Sequence, residues 1–532
     1  MAERSDANIV KVARLWLYLK DIRKLNMNTI YKRFIIVCLA VMAMAPTRMS
    51  GQVRTKAQEY VEAKARCPQL KDALVGVLAM TKGGDTLAAW NPGRRMLPAS
   101  NMKLVTTGSA LHCLGPDFRF ETRIAYSGNV TDGVLDGDLY IIGGGDPTIA
   151  SKDSIAVPRY MLMGKWKAML DKAGIKKIKG NVIGDGRYFD GPIEKDSWSY
   201  QDLGTYYGPG GDGLCFYENA QDFSVSPGPS VGSGVKVSVK FPSTPWMRYS
   251  FPCKTAGAGT GDKLYYYTSD VYPYGEIRGT FAIDRAARTE EFSNKYGAYT
   301  CAYYFRNYLT THGVEVCGGA ADVRNGRVRT DLRSPEPGPY AAKVDGLGML
   351  GSTYSPELWK IAKETNHKSD NFYAETLLRT MGRRFRHSAS YDSSYVALND
   401  VFARLGVDAS RVRISDGSGL SRHNYVSPEF FVSFLSAMMD SPVFEDFVKG
   451  LPQPGRGTLA SRLKGQSEAL KSRVYMKSGS MDGVLCYSGY IVPEEGCKDD
   501  SIVFSILTNN STCPLREIGV IIDGFIASLA GE

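Results

Sequence analysis

The chain has 532 residues, 43% hydrophobic and 23% charged. That composition is ordinary for a folded soluble protein, and the length exceeds one compact core, so two to four domains are expected. The formal net charge of +10 is uneven: residues 1–51 hold nine Lys/Arg against three Asp/Glu. The remainder has no basic block or basic–aromatic interleaving, which excludes nucleic acid as a partner.

The early charge belongs to a targeting segment. In "YKRFIIVCLAVMAMAP", Lys32 and Arg33 precede an apolar run from Phe34 to Ala45. This reads as a secretory signal over 1–51, too short to span a membrane comfortably. A start at Met27 would give a signal of ordinary length and leave 1–26 as a mis-called extension. Cleavage near Ser50–Gly51 would leave Gln52 first, and an uncleaved anchor is the alternative. Either way the protein is expected to be exported, with membrane contact only through an uncleaved segment. No small residue precedes Cys38, which argues against a lipoprotein anchor.

After the signal come nine cysteines, an odd number with no CxxC or other metal spacing. Export permits disulfides. Cys301–Cys317 and Cys497–Cys513 are the local pairs the spacing suggests, with at least one thiol left free. No metal site and no cofactor are expected.

From about Thr55 the chain reads as a helix and two strands, "ALVGVLAMT" and "TLAAWNP". A helix entered through "LPASNMKLVTTGSALHCLG" follows. From 116 to 340 short strand-like runs such as "FRFETRIAYSG", "GVKVSVKF" and "KLYYYTS" alternate with Gly/Pro/Asp turns. Helices within "IAVPRYMLMGKWKAMLDKAG" and "YGAYTCAYYFRNYLTTHG" interrupt and close that region. Helices return from Ser355. The end is three strands ("RVYMKSGS", "VLCYSGYIV", "SIVFSILTN") and a last helix. An α+β domain therefore spans 52–115 and 341–532, with a β-rich region, 116–340, spliced into it as two subdomains.

"GPSVG" at 228–232 has the G-x-S-x-G spacing, but a strand follows the serine where a nucleophile elbow needs a helix. "GAGTG" at 257–261 lacks the Lys-Ser/Thr of a phosphate loop. The five histidines are scattered, and His112 fits a packed position in an apolar helix.

Ser100 and Lys103 are different. A Ser-x-x-Lys on a helix puts hydroxyl and amine on one face. Ser100 lies at the helix N-terminus, where free N–H groups and the dipole favour a developing oxyanion. Lys103, in an apolar run, loses solvation and can serve as a base. Further on, "KSDNFYAE" gives Ser369-Asp370-Asn371 between helices, and "MKSGSMDGV" gives Lys477-Ser478-Gly479 on a strand. The ordered trio Ser-x-x-Lys, Ser-Asp-Asn and Lys-Ser/Thr-Gly is the signature of penicillin-binding proteins and serine β-lactamases.

With the long stretch between the first two motifs, and with "DGDLYIIGGGDPT", "ISDGSGLSRHNYVSP" and "LPQPGRGTL", the chain resembles the D-alanyl-D-alanine carboxypeptidase/endopeptidase family of low-molecular-mass penicillin-binding proteins. The likeness covers the chain from about Gln52 onward. Ser478 stands where the family usually has threonine and keeps the hydroxyl. The resemblance implies a serine β-lactamase/transpeptidase-like domain, an antiparallel sheet with flanking helices, in the periplasm. It also implies peptidoglycan stem peptides and crosslinks as substrates and β-lactams as acylating inhibitors.

In that setting Ser100 attacks the penultimate D-alanine carbonyl and Lys103 takes its proton. Ser369, assisted by Lys477, relays a proton to the leaving amine. Asn371 holds the substrate amide. Lys477 and Ser478 of the Lys477-Ser478-Gly479 motif bind the terminal carboxylate, and the N–H groups of Ser100 and Ser480 form the oxyanion hole. Arg422 would face the carboxylate of a diaminoacid side chain, and Asp185 its amine. Two rivals remain: a serine β-lactamase and a non-catalytic cell-wall-binding protein. The first would need a water-activating acid some three dozen residues past the second motif, and around "NDVFARLGVDASR" only Asp400 and Asp408 occur. An intact trio argues against the second.

Overall fold

Five strands form an antiparallel sheet in the order Thr86–Trp90, Leu74–Thr81, Ile502–Asn509, Val484–Ile491 and Val474–Met481. The description comes from a computed structural model and covers residues 55–494 and 497–531, so the signal segment lies outside it. Among the described residues no helix is long and apolar enough to cross a membrane.

The central strands Leu74–Thr81 and Ile502–Asn509 are largely apolar because both faces of this sheet are covered. Val75, Val77 and Ala79 pack with Leu485, Ile506 and residues of the C-terminal helix Leu515–Ala530. The alternate positions Leu78, Cys486, Tyr490 and Leu507 belong to a second, larger cluster. That cluster holds the helices Met102–Leu114, Asn371–Arg386 and Pro428–Met439. Period-two alternation thus divides each strand between two cores. The helix Met102–Leu114 is buried from Met102 to Leu111. Gly108 lets it approach Phe434, whose ring a Cβ there would meet at 3.1 Å.

Between these pieces lie four further sheets, and among the described residues none of their strands joins the five-stranded one. The largest has seven strands. In it Leu139–Ile142 runs parallel to Val182–Asp185, which runs parallel to Ala320–Arg324. The helices Arg159–Lys172 and Gly297–Thr311 lie in the two connections, so the region contains βαβ crossovers besides its hairpins. Gly348–Tyr354 closes the sheet by pairing with Glu121–Tyr126.

Residues Lys56–Glu532 form one compact unit. Ile141, Trp166 and Phe305 of the intervening region share the larger cluster with Leu104 and Leu377. All nine described cysteines are unpaired thiols, which corrects the two local disulfides suggested by spacing. Cys301 is buried in its helix while Cys317 is exposed, and Cys513 Sγ donates to Glu517 instead, at 3.3 Å.

Candidate active site

Ser100 sits in a single 3₁₀ turn, Ala99–Asn101, just before the buried helix. Ala99 has φ of +46°, in the left-handed region where a side chain is strained. Lys103 comes one turn later, fully buried. Its Nζ lies 2.9 Å from Ser100 Oγ, 2.5 Å from Asn371 Oδ1 and 2.9 Å from the carbonyl of Ser418.

Each residue of Ser-Asp-Asn has its own local part. Ser369 ends the helix Leu358–Lys368 in a left-handed conformation, φ +59°. Asp370 caps the next helix by accepting from the Tyr373 N–H at 2.7 Å. Burial pushes its carboxyl up to about 6. Asn371 opens that helix, and its Nδ2 donates to the Tyr207 carbonyl at 2.8 Å. Because that carbonyl only accepts, the amide oxygen is the atom turned to Lys103.

Lys477 lies on Val474–Met481, an edge strand of the five-stranded sheet. Its Nζ donates to Ser369 Oγ at 3.0 Å and to the Ser478 carbonyl at 2.7 Å. Gly479 lets this strand touch the turn that carries Ser100: a Cβ there would lie 2.6 Å from Pro98 O and 2.8 Å from Ser100 N. Ser478 and Ser480 line the same cleft as Ser100, Ser369, Asn371 and Arg422. The cleft encloses about 850 Å³, enough for more than a dipeptide.

Burial lowers Lys103 from the usual lysine value to about 8, opposed by the nearby charges of Asp370, Asp416 and Glu375. Burial, with the charge of Lys103 added, holds Lys477 well below the ordinary range. A neutral amine has two hydrogens and one lone pair. Asn371 Oδ1 and the Ser418 carbonyl are acceptors only, so they take both hydrogens and leave the lone pair of Lys103 for the Ser100 hydroxyl. That is the arrangement a general base requires.

Two carboxylates that sequence reasoning left unassigned build this geometry from behind. Glu375 accepts from the N–H groups of Gly417 and Ser418, the latter at 2.8 Å. Asp416 accepts from Trp198 Nε1, Gly419 N–H and Asn424 Nδ2. Together they aim the Ser418 carbonyl at Lys103. The stretch "SDGSGLS", which holds Asp416 and Ser418, stood out by resemblance, but nothing local in it signals a carbonyl used as a ligand.

Asp185 is not in the cleft. It is buried on a strand of the seven-stranded sheet and held by Arg187, whose Nη2 donates to it at 2.6 Å. The acid that does face the site from the intervening region is Asp202, which lines the cleft with Arg422. Tyr207 OH donates to its Oδ1 at 3.1 Å. Burial raises Asp202, and the charge of Arg422 opposes that rise. A loop whose place is set only by tertiary contacts gave no pattern by which Asp202 could be preferred.

Residues 228–232 are a turn before a strand, as expected, whereas His112 is only half-buried and bonds Ser441 Oγ at 2.9 Å. Asp400 pairs with Arg386, and Asp408 binds the Ser410 N–H. Neither lines the cleft. Among the described residues no cluster of His, Cys, Asp or Glu could hold a metal.

The profile of the D-Ala-D-Ala carboxypeptidase 3 (S13) family matches residues 57–529. The chain is 28% identical over 479 residues to a D-alanyl-D-alanine carboxypeptidase of Actinomadura sp. (strain R39), covering 87% of this chain and 83% of that one. It is 26% identical over 431 residues to the D-alanyl-D-alanine carboxypeptidase DacB of Haemophilus influenzae, covering 77% and 81%. The crystal structure of penicillin binding protein 4 (dacB) from Haemophilus influenzae superposes with a TM-score of 0.72 at 22% identity, over 89% of this chain and 98% of that one.

Proposed function

The chain belongs to the D-Ala-D-Ala carboxypeptidase 3 (S13) family, and we propose that Ser100 is its nucleophile and Lys103 the base that activates it. The protein is a serine-type D-Ala-D-Ala carboxypeptidase and a penicillin-binding protein. The observation that carries the assignment of roles is the set of three contacts around Lys103 Nζ.

Lys103 takes the Ser100 proton as Oγ attacks the penultimate D-alanine carbonyl. The oxyanion that forms is held by the N–H groups of Ser100 and Ser480. Ser369, bonded to Lys477 Nζ, relays to the leaving amine the proton that Lys103 took from Ser100, giving up its own hydroxyl proton and regaining one. Lys477 and Ser478 hold the terminal carboxylate, and Asn371 steadies the amide of the chain that stays. Water then releases the acyl group. A crosslink also presents a carboxylate beside its scissile amide, so the same clamp serves endopeptidase cuts. Arg422 and Asp202 supply one cation and one anion for the zwitterionic end of a diaminoacid side chain, so Asp202 takes the role that resemblance gave to Asp185.

The same reading places the protein in the periplasm, delivered by the signal segment at 1–51. It treats 52–115 and 341–532 as the catalytic domain and 116–340 as the insertion. The pairing of Gly348–Tyr354 with Glu121–Tyr126 favours extending the insertion through that strand.

Two measurements test the proposal. Mass spectrometry of the penicillin adduct should find the label on Ser100, and a label elsewhere would sink the assignment. Release of D-alanine should be compared between a pentapeptide and its C-terminal amide. A charge-assisted hydrogen bond contributes about 1.5–3 kcal/mol, so amidation should cost roughly 10- to 100-fold in kcat/KM. Equal rates would remove the carboxylate clamp.

A further inference from the structure

The intervening region presents tyrosines to the cleft in a way that packing does not explain. The strands Asp262–Thr268 and Tyr274–Ala282 form a hairpin with Tyr265 opposite Arg278 and Tyr267 opposite Glu276. Alternation sends Tyr266, Ile277 and Phe281 into a small core. It leaves Tyr265 and Tyr267 on the other face with Glu276 and Arg278.

Tyr200 lies over that face, its ring stacked on Tyr267 at 5.2 Å and 29°. The guanidinium of Arg278 sits 4.8 Å from the Tyr267 ring centre. So Tyr267 is a brace, and Tyr200 is held in one orientation while 65% exposed. Tyr206 is 60% exposed and set edge-on to Tyr207, and Tyr265 is 38% exposed. Tyr206 and Tyr265 border the same cleft as Ser100, together with Ser199 and Gln201.

Tyr206 and Tyr265 on the rim of the cleft, with Tyr200 on the adjoining hairpin face, are exposed aromatics of the kind that mark a contact surface. Tyrosine suits such a surface because it is rigid, amphipathic and cheap in conformational entropy. The chemistry narrows the ligand. The three exposed rings, Ser199 and Gln201 are uncharged, and Arg278 on the hairpin face is already paired with Glu276, which suits neither a carboxylate-bearing peptide nor a lipid headgroup. A pyranose ring fits: its C–H face packs on an aromatic face by dispersion, while its hydroxyl and acetamido edge meets phenol and amide groups.

We propose that Tyr200, Tyr206 and Tyr265 form a platform for the N-acetylated sugar that carries the stem peptide, so the enzyme reads glycan and peptide together. The proposal rests on the reading of the cleft as a stem-peptide site, since the sugar is covalently continuous with that peptide.

The test uses the full exported chain and two substrates: a free D-Ala-D-Ala pentapeptide, and the same peptide attached to its N-acetylglucosaminyl-N-acetylmuramyl disaccharide. The wild type should show a KM about tenfold lower for the glycosylated substrate. Tyr200→Ala and Tyr265→Ala should each remove most of that preference, with turnover of the free peptide and penicillin acylation unchanged within about twofold. Tyr200→Phe should keep the preference, because it keeps the ring face. Loss of both substrates in parallel would make the tyrosines peptide contacts and overturn the proposal, as would an unchanged preference.

Saturation-transfer NMR with the peptide-free disaccharide gives a readout independent of catalysis. Binding by wild type that is lost in Tyr200→Ala supports the platform, and equal binding by both, or by neither, refutes it. If D-alanine is released from neither substrate and penicillin does not label Ser100, the catalytic reading fails, and the NMR result still decides the platform.

Discussion

Lys103 can take a proton from Ser100 only while it is neutral. Since burial lowers it to about 8, the neutral fraction grows as pH rises through that value. The rate of acylation by a penicillin should climb about tenfold per pH unit below the midpoint and level off above it. Lys103→Ala should lose about 10²–10⁴-fold in that rate, and a thermal melt checks that the variant, which strands the Asn371 and Ser418 acceptors, still folds. Asn371→Asp is the sharper test. It places a carboxylate where an amide oxygen now lies 2.5 Å from Nζ, and an opposite charge at that range raises a lysine by about one to three units. Acylation at neutral pH should fall and recover in alkaline buffer. The lost bond to the Tyr207 carbonyl alters substrate binding but would not move the midpoint. A midpoint that stays in place would show that Lys103 is not the base. Ser100, Lys103, Ser369 and Lys477 could be found in sequence because each belongs to a short motif whose members are close neighbours along the chain. Glu375, Asp416 and Asp202 could not, because each acts through backbone groups or partners that only the fold brings near.

At the scale of elements, the cleft depends on how closely an edge strand approaches the nucleophile turn, and Gly479 sets that distance. A methyl group there would press on Pro98 O and on the N–H groups of Ser100 and Asn101, all of them backbone atoms that cannot step aside. Gly479→Ala should push the strand Val474–Met481 outward, costing about 1–3 kcal/mol in stability. Displacement of the oxyanion donors should lower acylation about 10²-fold. Gly257→Ala is the control: nothing lies within 4 Å of that Cβ, and its effect should stay within about 0.5 kcal/mol. Thermal melts and acylation rates of the two variants decide it, and similar behaviour would deny Gly479 its role. The central strands of this sheet were readable because both faces are covered and their runs are largely apolar, and Val474–Met481 because it carries the Lys477-Ser478-Gly479 motif. Gly348–Tyr354 was not. It carries two glycines and no fully buried position, so only its partner strand reveals it. Val182–Asp185 and Ala320–Arg324 are short strands whose parallel pairing depends on crossovers that no local pattern encodes.

For the whole molecule, the question is what holds the intervening region to the catalytic sheet. Length suggested two to four domains, whereas Lys56–Glu532 is one unit because the two parts share a hydrophobic cluster. At one seam Arg379, on the helix Asn371–Arg386, is almost wholly buried. It donates to the carbonyls of Asp190, Pro192, Gly211 and Ala389. Its guanidinium also packs 5.0 Å from the Phe189 ring centre. Three of those carbonyls flank the stretch that carries Asp202 and Tyr207 to the cleft. A lysine cannot reproduce the planar fork, so several buried carbonyls would lose their donors. Arg379→Lys should therefore cost about 2–4 kcal/mol. The wild type should unfold in one calorimetric transition, as a shared core requires. The variant should melt lower and be cut by protease within residues 187–215 while the five-stranded sheet survives. Penicillin labelling of Ser100 would persist in the variant, and discrimination among stem peptides would weaken, because the acid that faces Arg422 is no longer held in place. An unchanged melt and an uncut loop would mean that the apolar cluster alone holds the two parts together.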